Sequence, residues 1–173
     1  MAKFVASGTE EGSLRLASLG DLQHYCYIVA GIVGELLTEL FLDFTPALER
    51  VRDTLVATAA RFGEGLQLVN ILKDADSDAR HGRVYLPPGV DRAGVLALAR
   101  ADLVAATEYV LALQSAGAPR GVVSFTALPV LLARATLDCT ERLGPGKSIH
   151  RADVIAIVAR LQRALDEGAP AIS

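Results

Sequence analysis

Apolar residues in this chain recur every three or four positions, stretch after stretch, and nowhere alternate at the two-residue period of a strand for any length. That pattern restricts the chain to an all-α fold. From Asp21, an N-cap residue type, the positions Tyr25, Val29, Ile32, Val33, Leu36 and Leu40 mark a helix that carries on to about Phe41. Thr45-Pro46 reads as the N-cap and N1 proline of a second, long helix, interrupted by Gly63 and Gly65 and running to about Asp78. The segment His81–Gly89, with Gly82 and Pro87-Pro88, must be irregular. Helices follow over about Arg92–Gln114, over Phe125–Arg142 with Pro129 in the first turn, and over about Arg151–Glu167. The first twenty residues read as a short helix or loose arm. A length of 173 residues with no internal repeat fits a single domain.

Composition removes several classes of function. The hydrophobic share is 51%, too high for disorder. Lys and Arg number 17 against 20 Asp and Glu, a net charge of −3, so there is no electrostatic case for a nucleic-acid binder. Cys26 and Cys139 lie far apart, which indicates neither a zinc site nor a disulfide framework and fits a reducing cytoplasm. The longest stretches free of charge, Leu22–Gly34 and Gly121–Ala133, have about thirteen residues, short of the ~20 of a spanning helix. The N-terminal residues lack the apolar core of a secretory signal.

Chemistry concentrates in Gln67-Leu-Val-Asn70-Ile-Leu-Lys-Asp74-Ala-Asp-Ser-Asp78-Ala-Arg80-His-Gly-Arg83-Val-Tyr85-Leu-Pro87. At about 100° per residue, Asn70, Asp74 and Asp78 fall within roughly 60° of Gln67, whereas Asp76 points about 180° away. Carboxylates at i and i+4 repel each other, and near a helix C-terminus the dipole disfavours them again. A divalent magnesium ion would compensate, because it takes oxygen ligands and typically uses one or two carboxylates together with substrate phosphates. Arg80 and Arg83 could then grip diphosphate oxygens. The competing reading is a solvated acidic helix end. Gln67 and Asn70 weigh against it, since a polar stripe inside an apolar helix is costly unless it faces a cavity or partner groups.

The spaced set Gln67-x-x-Asn70-Ile-Leu-x-Asp74-x-x-x-Asp78-x-Arg80-x-Gly82-Arg83-x-Tyr85-Leu-Pro87 resembles the second aspartate-rich motif of the squalene/phytoene synthase family. Upstream, Tyr25-Cys26-Tyr27-x-Val29-Ala30-Gly31-x-Val33-Gly34 resembles the helix that precedes this motif. Downstream, Phe125-x-Ala127-x-Pro129 and Ala135-Thr136-Leu137 are closer to the squalene synthase branch, so the resemblance runs from about residue 15 to about 165.

The resemblance implies an isoprenoid-synthase-type helical bundle that joins two prenyl diphosphates head to head. The route passes through a cyclopropyl intermediate, presqualene or prephytoene diphosphate. Squalene synthases then reduce that intermediate with NADPH. Carried over by position, Asp74 and Asp78 would bind magnesium, Gln67 and Asn70 would line the pocket, and Arg83, with Arg80 as a weaker candidate, would contact diphosphate. Tyr25 matches a catalytic tyrosine, its alternative being a core aromatic. Val29, Gly31, Val33 and Gly34 would form the tunnel wall, unless the glycines serve packing alone. Phe125 and Pro129 would shape the far end of the pocket. His24, His81 and His150 read as structural.

The first aspartate-rich motif of the family is absent, for the acids before Tyr25 are Glu10, Glu11 and Asp21, with no DxxxD pair. The chain is therefore expected to correspond to the C-terminal half of a family member, starting inside a helix at Met1-Ala-Lys-Phe-Val. The function expected is condensation of farnesyl diphosphate to presqualene diphosphate or squalene, with magnesium and, for squalene, NADPH. A complementary N-terminal half or a homo-oligomer would complete the site, in the cytoplasm or peripherally at a membrane. The alternative is a non-catalytic helical module that binds isoprenoids or a partner protein.

Overall fold

The computed structural model describes residues 15–173, and every regular element among them is helical. Most of the expected N-terminal arm lies outside the described residues. Helix α1 (Leu19–Cys26) passes through a π-helical turn (Tyr27–Gly31) into α2 (Ile32–Phe44). A 3₁₀ turn (Pro46–Val51) leads to the long α3 (Arg52–Arg80), followed by α4 (Arg92–Ser115), α5 (Arg120–Leu143) and α6 (Arg151–Glu167). The all-α expectation holds.

Helix ends follow local chemistry, with some corrections to the sequence reading. Ser18, not Asp21, is the first N-cap: its Oγ accepts the Asp21 N–H at 3.1 Å. Asp21 returns the favour from the first turn, where its carboxylate accepts the Ser18 hydroxyl at 3.0 Å and the Ala17 N–H at 3.2 Å. Thr45-Pro46 opens the 3₁₀ turn rather than α3 itself. Helix α5 starts at Arg120, so Pro129 sits inside the helix instead of in its first turn. There the missing N–H leaves the Phe125 carbonyl without its helical donor. Helix α6 spans the expected residues and ends on Gly168, whose φ of 67° suits a residue without Cβ.

Gly63 and Gly65 do not interrupt α3. They are where other backbone comes closest. A Cβ on Gly63 would lie 2.1 Å from the Ala30 carbonyl oxygen, and one on Gly34 would lie 2.1 Å from that of Ala59. The two contacts seat the π turn and α2 directly against α3. Farther along, the Thr38 hydroxyl donates to the Gly34 carbonyl at 2.8 Å and pairs with the buried Tyr109 hydroxyl of α4 at 2.9 Å.

The π turn decides which face of the first helices is buried. Its i→i+5 bonds take one residue more than an α turn, which swings everything downstream by about 100°. The buried positions run Leu22 and Cys26, then Gly31, Gly34, Thr38 and Leu42. The apolar series that marks this helix in the sequence consequently lies outside beyond Tyr25. Val29, Ile32, Val33, Leu36, Leu40 and Phe44 are 41% to 79% exposed.

Two core clusters flank the α3–α4 pair. One gathers Leu55, Phe62, Tyr109, Leu113, Val130 and Leu161. The other gathers Leu22, Cys26, Leu68, Leu72, Ala99 and Leu137. By length and composition alone, two helical stretches, Leu19–Phe44 and Arg120–Leu143, would suffice to cross a membrane. The charge-free runs of the sequence understated this, because helix continues past their ends. In the fold both stretches pack against α3.

Candidate functional site

An open apolar groove of about 240 Å³ lies where the π turn, α2, α3 and α5 meet. Val29 and Val33 form one side, Phe62, Gly63 and Leu66 the floor, and Phe125 and Pro129 the opposite side. Gln67 and Asn70 give it a polar edge. The groove thus brings together residues that the sequence placed on one pocket from three separate segments. Gly34 borders the groove, whereas Gly31 is buried beside Tyr27 and Glu64.

The helical face carrying Gln67 and Asn70 continues to Asp74 and Asp78, both partly buried, while Asp76 is exposed. Each inward carboxylate already has a cation. Lys73 Nζ lies 2.8 Å from Asp74, and Arg83 Nη2 lies 3.2 Å from Asp78. Arg80 turns away, its Nε donating to the Asp76 carbonyl at 3.2 Å. Of the two arginines suggested for diphosphate, Arg83 is therefore the one at the carboxylates. His81 Nδ1 lies 2.7 Å from the Ser77 carbonyl, which fits a structural role.

Tyr25 reaches the same end of α3. Its ring lies 5.1 Å from that of Tyr85 at an angle of 37°. Its hydroxyl is pushed well above the usual tyrosine range, first by burial, then by the Tyr85 hydrogen bond and charge, with smaller effects of Cys26 and Asp78. Tyr25 stays a neutral phenol. Tyr85, which the sequence reading quoted within the motif but gave no role, is held by the segment that folds back across the end of α3. Arg83 binds Asp78 there, and the Val84 carbonyl accepts the Leu16 N–H at 3.3 Å. Lys73 is the other residue the reading missed. A lysine next to an aspartate is too common a pair to stand out in sequence.

A second ionisable group went unforeseen. Asp102 of α4 is 3% exposed and accepts Arg61 Nε at 2.8 Å through one oxygen. Burial pushes its carboxyl upward against the pull of that guanidinium. The Glu64 carboxyl is also raised, by burial and then by Asp102. Cys26 is buried and its thiol is pushed up to about 12, chiefly by burial, so it is an inert core residue.

Among the described residues no group of three or more His, Cys, Asp or Glu side chains gathers as a metal cage. Asp74 and Asp78 suit a different arrangement, in which one helix offers two carboxylates and a substrate brings the remaining oxygens. In this respect the donor set fits a magnesium diphosphate and not a bare structural ion.

Comparison with known proteins agrees with this face of the molecule. The squalene/phytoene synthase family model matches residues 7–95, which hold Tyr25, the groove residues of α2 and α3, and the whole aspartate segment. Phytoene synthase 3, chloroplastic, from Zea mays is 39% identical over 90 residues, 52% of this chain and 20% of its own length. Phytoene synthase 1, chloroplastic, from Arabidopsis thaliana is 41% identical over 73 residues, 42% of this chain and 17% of its own. A bifunctional lycopene cyclase/phytoene synthase from Arthroderma gypseum is 40% identical over 82 residues, 45% of this chain and 14% of its own. The chain thus spans about a fifth or less of the length of these curated relatives. Their names point to phytoene synthases, against the leaning to the squalene branch drawn from Phe125–Leu137, a segment beyond the matched residues. No solved structure matches the chain. On the strength of the match across residues 7–95, this chain belongs to the squalene/phytoene synthase family.

Proposed function

We propose that the chain contributes one wall of a site for head-to-head condensation of prenyl diphosphates. The product is of the phytoene type, with geranylgeranyl diphosphate favoured over farnesyl diphosphate. The observation that carries this reading is the polarity along one face of α3. An apolar groove ends at Gln67 and Asn70, and the same face continues to Asp74 and Asp78. A prenyl diphosphate has the same polarity, with an apolar chain and a polyanionic head.

Asp74 and Asp78 would hold magnesium, which supplies charge neutralisation for the departing diphosphate. Lys73 and Arg83, paired here with these carboxylates, are the cations that would meet the diphosphate oxygens with magnesium bound. Arg83 offers the bidentate geometry that phosphate prefers. Tyr25, neutral and tilted against Tyr85, would present a ring to the positive charge that develops on the prenyl chain. A phytoene-type reaction dispenses with the NADPH step of squalene synthases.

The groove is smaller than the 300–1,000 Å³ or so of ordinary ligand pockets, and it is open. Electrostatic stabilisation of a leaving group needs a closed, dry site. A further polypeptide therefore closes it, in the simplest case a complementary half bearing the first aspartate-rich motif. A second reading, a non-catalytic isoprenoid-binding module, is favoured by one fact only: both carboxylates are already satisfied by cations.

Calorimetric titration with magnesium and inorganic diphosphate tests the proposal. The two should bind together. Asp74→Asn or Asp78→Asn should abolish the magnesium-dependent part, and Asp76→Asn should leave it intact. Equal losses at all three positions would mean that overall negative charge matters and the helical arc does not. Turnover should be negligible for this chain alone and appear on adding the complementary half, which separates enzyme wall from binding module.

A further inference from the structure

The loop between α5 and α6 comes back to the side of α3 that carries the aspartate segment. Gly144 and Gly146, at φ of 86° and 74°, give it a path that residues with a Cβ rarely follow. The Gly146 N–H donates to the Lys73 carbonyl at 2.7 Å. Lys73 follows Asn70 by three positions, about 60° around the helix, and its ammonium lies 2.8 Å from Asp74. A segment far from the motif in sequence is thus tied by its backbone to the residue that precedes Asp74.

Lys147 follows directly, its Cα about 3.8 Å from that of Gly146. It is exposed, and its ammonium has no hydrogen bond or ion pair among the described residues. The acids that flank it in sequence are engaged elsewhere: Glu141 holds Arg100, and Asp153 accepts the His150 N–H at 3.2 Å. The chain has 14 arginines but only three lysines, Lys3, Lys73 and Lys147. Two of the three come together at this point of α3.

The charge balance of the site calls for such a cation. Asp74 with Lys73 and Asp78 with Arg83 leave the face without net charge, and Arg80 is turned to the Asp76 carbonyl. A diphosphate carries more negative charge than one magnesium ion neutralises, so the complex is left anionic. We propose that Lys147 is a further diphosphate-binding residue, delivered to the head group by the Gly146–Lys73 contact. An ammonium on a flexible four-carbon stem suits the task, because it presents three donors to a polyanion without the fixed fork of an arginine. The proposal rests on the prenyl diphosphate reading. It adds to that reading a contact from beyond residues 7–95, the part of the chain that the family model matches.

Acylation of the full chain with acetic anhydride, read by mass spectrometry, tests the contact directly. Magnesium and inorganic diphosphate together should slow labelling of Lys147 several-fold, and neither alone should. In calorimetry, Lys147→Gln should weaken magnesium-dependent diphosphate binding by about tenfold, the scale of one charge-assisted hydrogen bond, and Lys147→Arg should retain most of it. Arg163→Gln, which removes an exposed cation farther along α6, should have no effect. Both positions are exposed, so the helical circular dichroism spectrum should be that of wild type in each variant. Unchanged labelling of Lys147, full affinity in Lys147→Gln, or an equal loss in Arg163→Gln would each overturn the proposal, even where Asp74→Asn still abolishes binding and the reading of the site stands. A wild type with no magnesium-dependent binding would instead overturn the prenyl diphosphate reading, and this proposal with it.

Discussion

Gly63 of α3 sits beneath the Ala30 carbonyl, where an added Cβ would approach the oxygen to 2.1 Å. Backbone on both sides leaves nothing flexible to give way. Gly63→Ala should therefore cost about 2 kcal/mol or more, despite the gain of about 1 kcal/mol that alanine brings to a helix. Gly94→Ala, in the first turn of α4 with open space around it, should instead stabilise by about 0.5–1 kcal/mol. Urea unfolding of the pair checks the opposite signs.

Thr38 and Tyr109 form a directed pair. Thr38 donates to the Gly34 carbonyl, so the Tyr109 hydroxyl is the donor to Thr38. Tyr109→Phe removes that donor but leaves the threonine proton bonded, and should cost about 1 kcal/mol. Thr38→Val strands a buried phenol and should cost more, about 1–3 kcal/mol. The reverse ranking in thermal unfolding would show that the donor assignment is wrong.

Stability should fall as pH rises from about 4 toward neutrality, through the raised carboxyls of Glu64 and Asp102. A carboxyl raised by folding binds its proton more tightly in the folded chain. Its contribution is complete below the ordinary carboxylate value and is lost as pH rises through the folded one. Glu64→Gln should flatten that slope. Denaturant midpoints measured across this range decide it, and parallel slopes for wild type and variant would refute the assignment.

The chain contains no tryptophan, so one placed in the groove reports on it alone. In Val33→Trp, geranylgeranyl diphosphate with magnesium should shift the indole emission to the blue. Val104→Trp, exposed on α4 away from the groove, should not respond. Matching responses from both would place prenyl binding elsewhere.

Much of the fold was legible because helix period, caps and breakers are local. The span of α6 and the irregular segment around Pro87-Pro88 follow from residues within a few positions of each boundary. What escaped were effects of distant neighbours. Gly63 and Gly65 look like interruptions until Ala30 and Asp102 are brought against them. The π turn itself escaped, because no residue between Tyr27 and Gly31 announces one. The polar arc was readable as angles on one helix, and Asp76 does lie outside it. The ion pairs with Lys73 and Arg83, and the Tyr25–Tyr85 contact, depend on a loop whose path no periodicity encodes.

The extra residue in the π turn also has an evolutionary reading. Removing a single codon between Tyr27 and Gly31 would return the segment to an uninterrupted α-helix. Gly34, Thr38 and Leu42 would each stand one position earlier, in α-helical phase with Leu22 and Cys26, so Gly34 would keep its place against Ala59 and Thr38 its bond to Tyr109. The π turn is thus the place where the helix takes up one surplus residue without turning its buried face away from α3, and a gene lacking that triplet would encode the same packing on a helix one residue shorter.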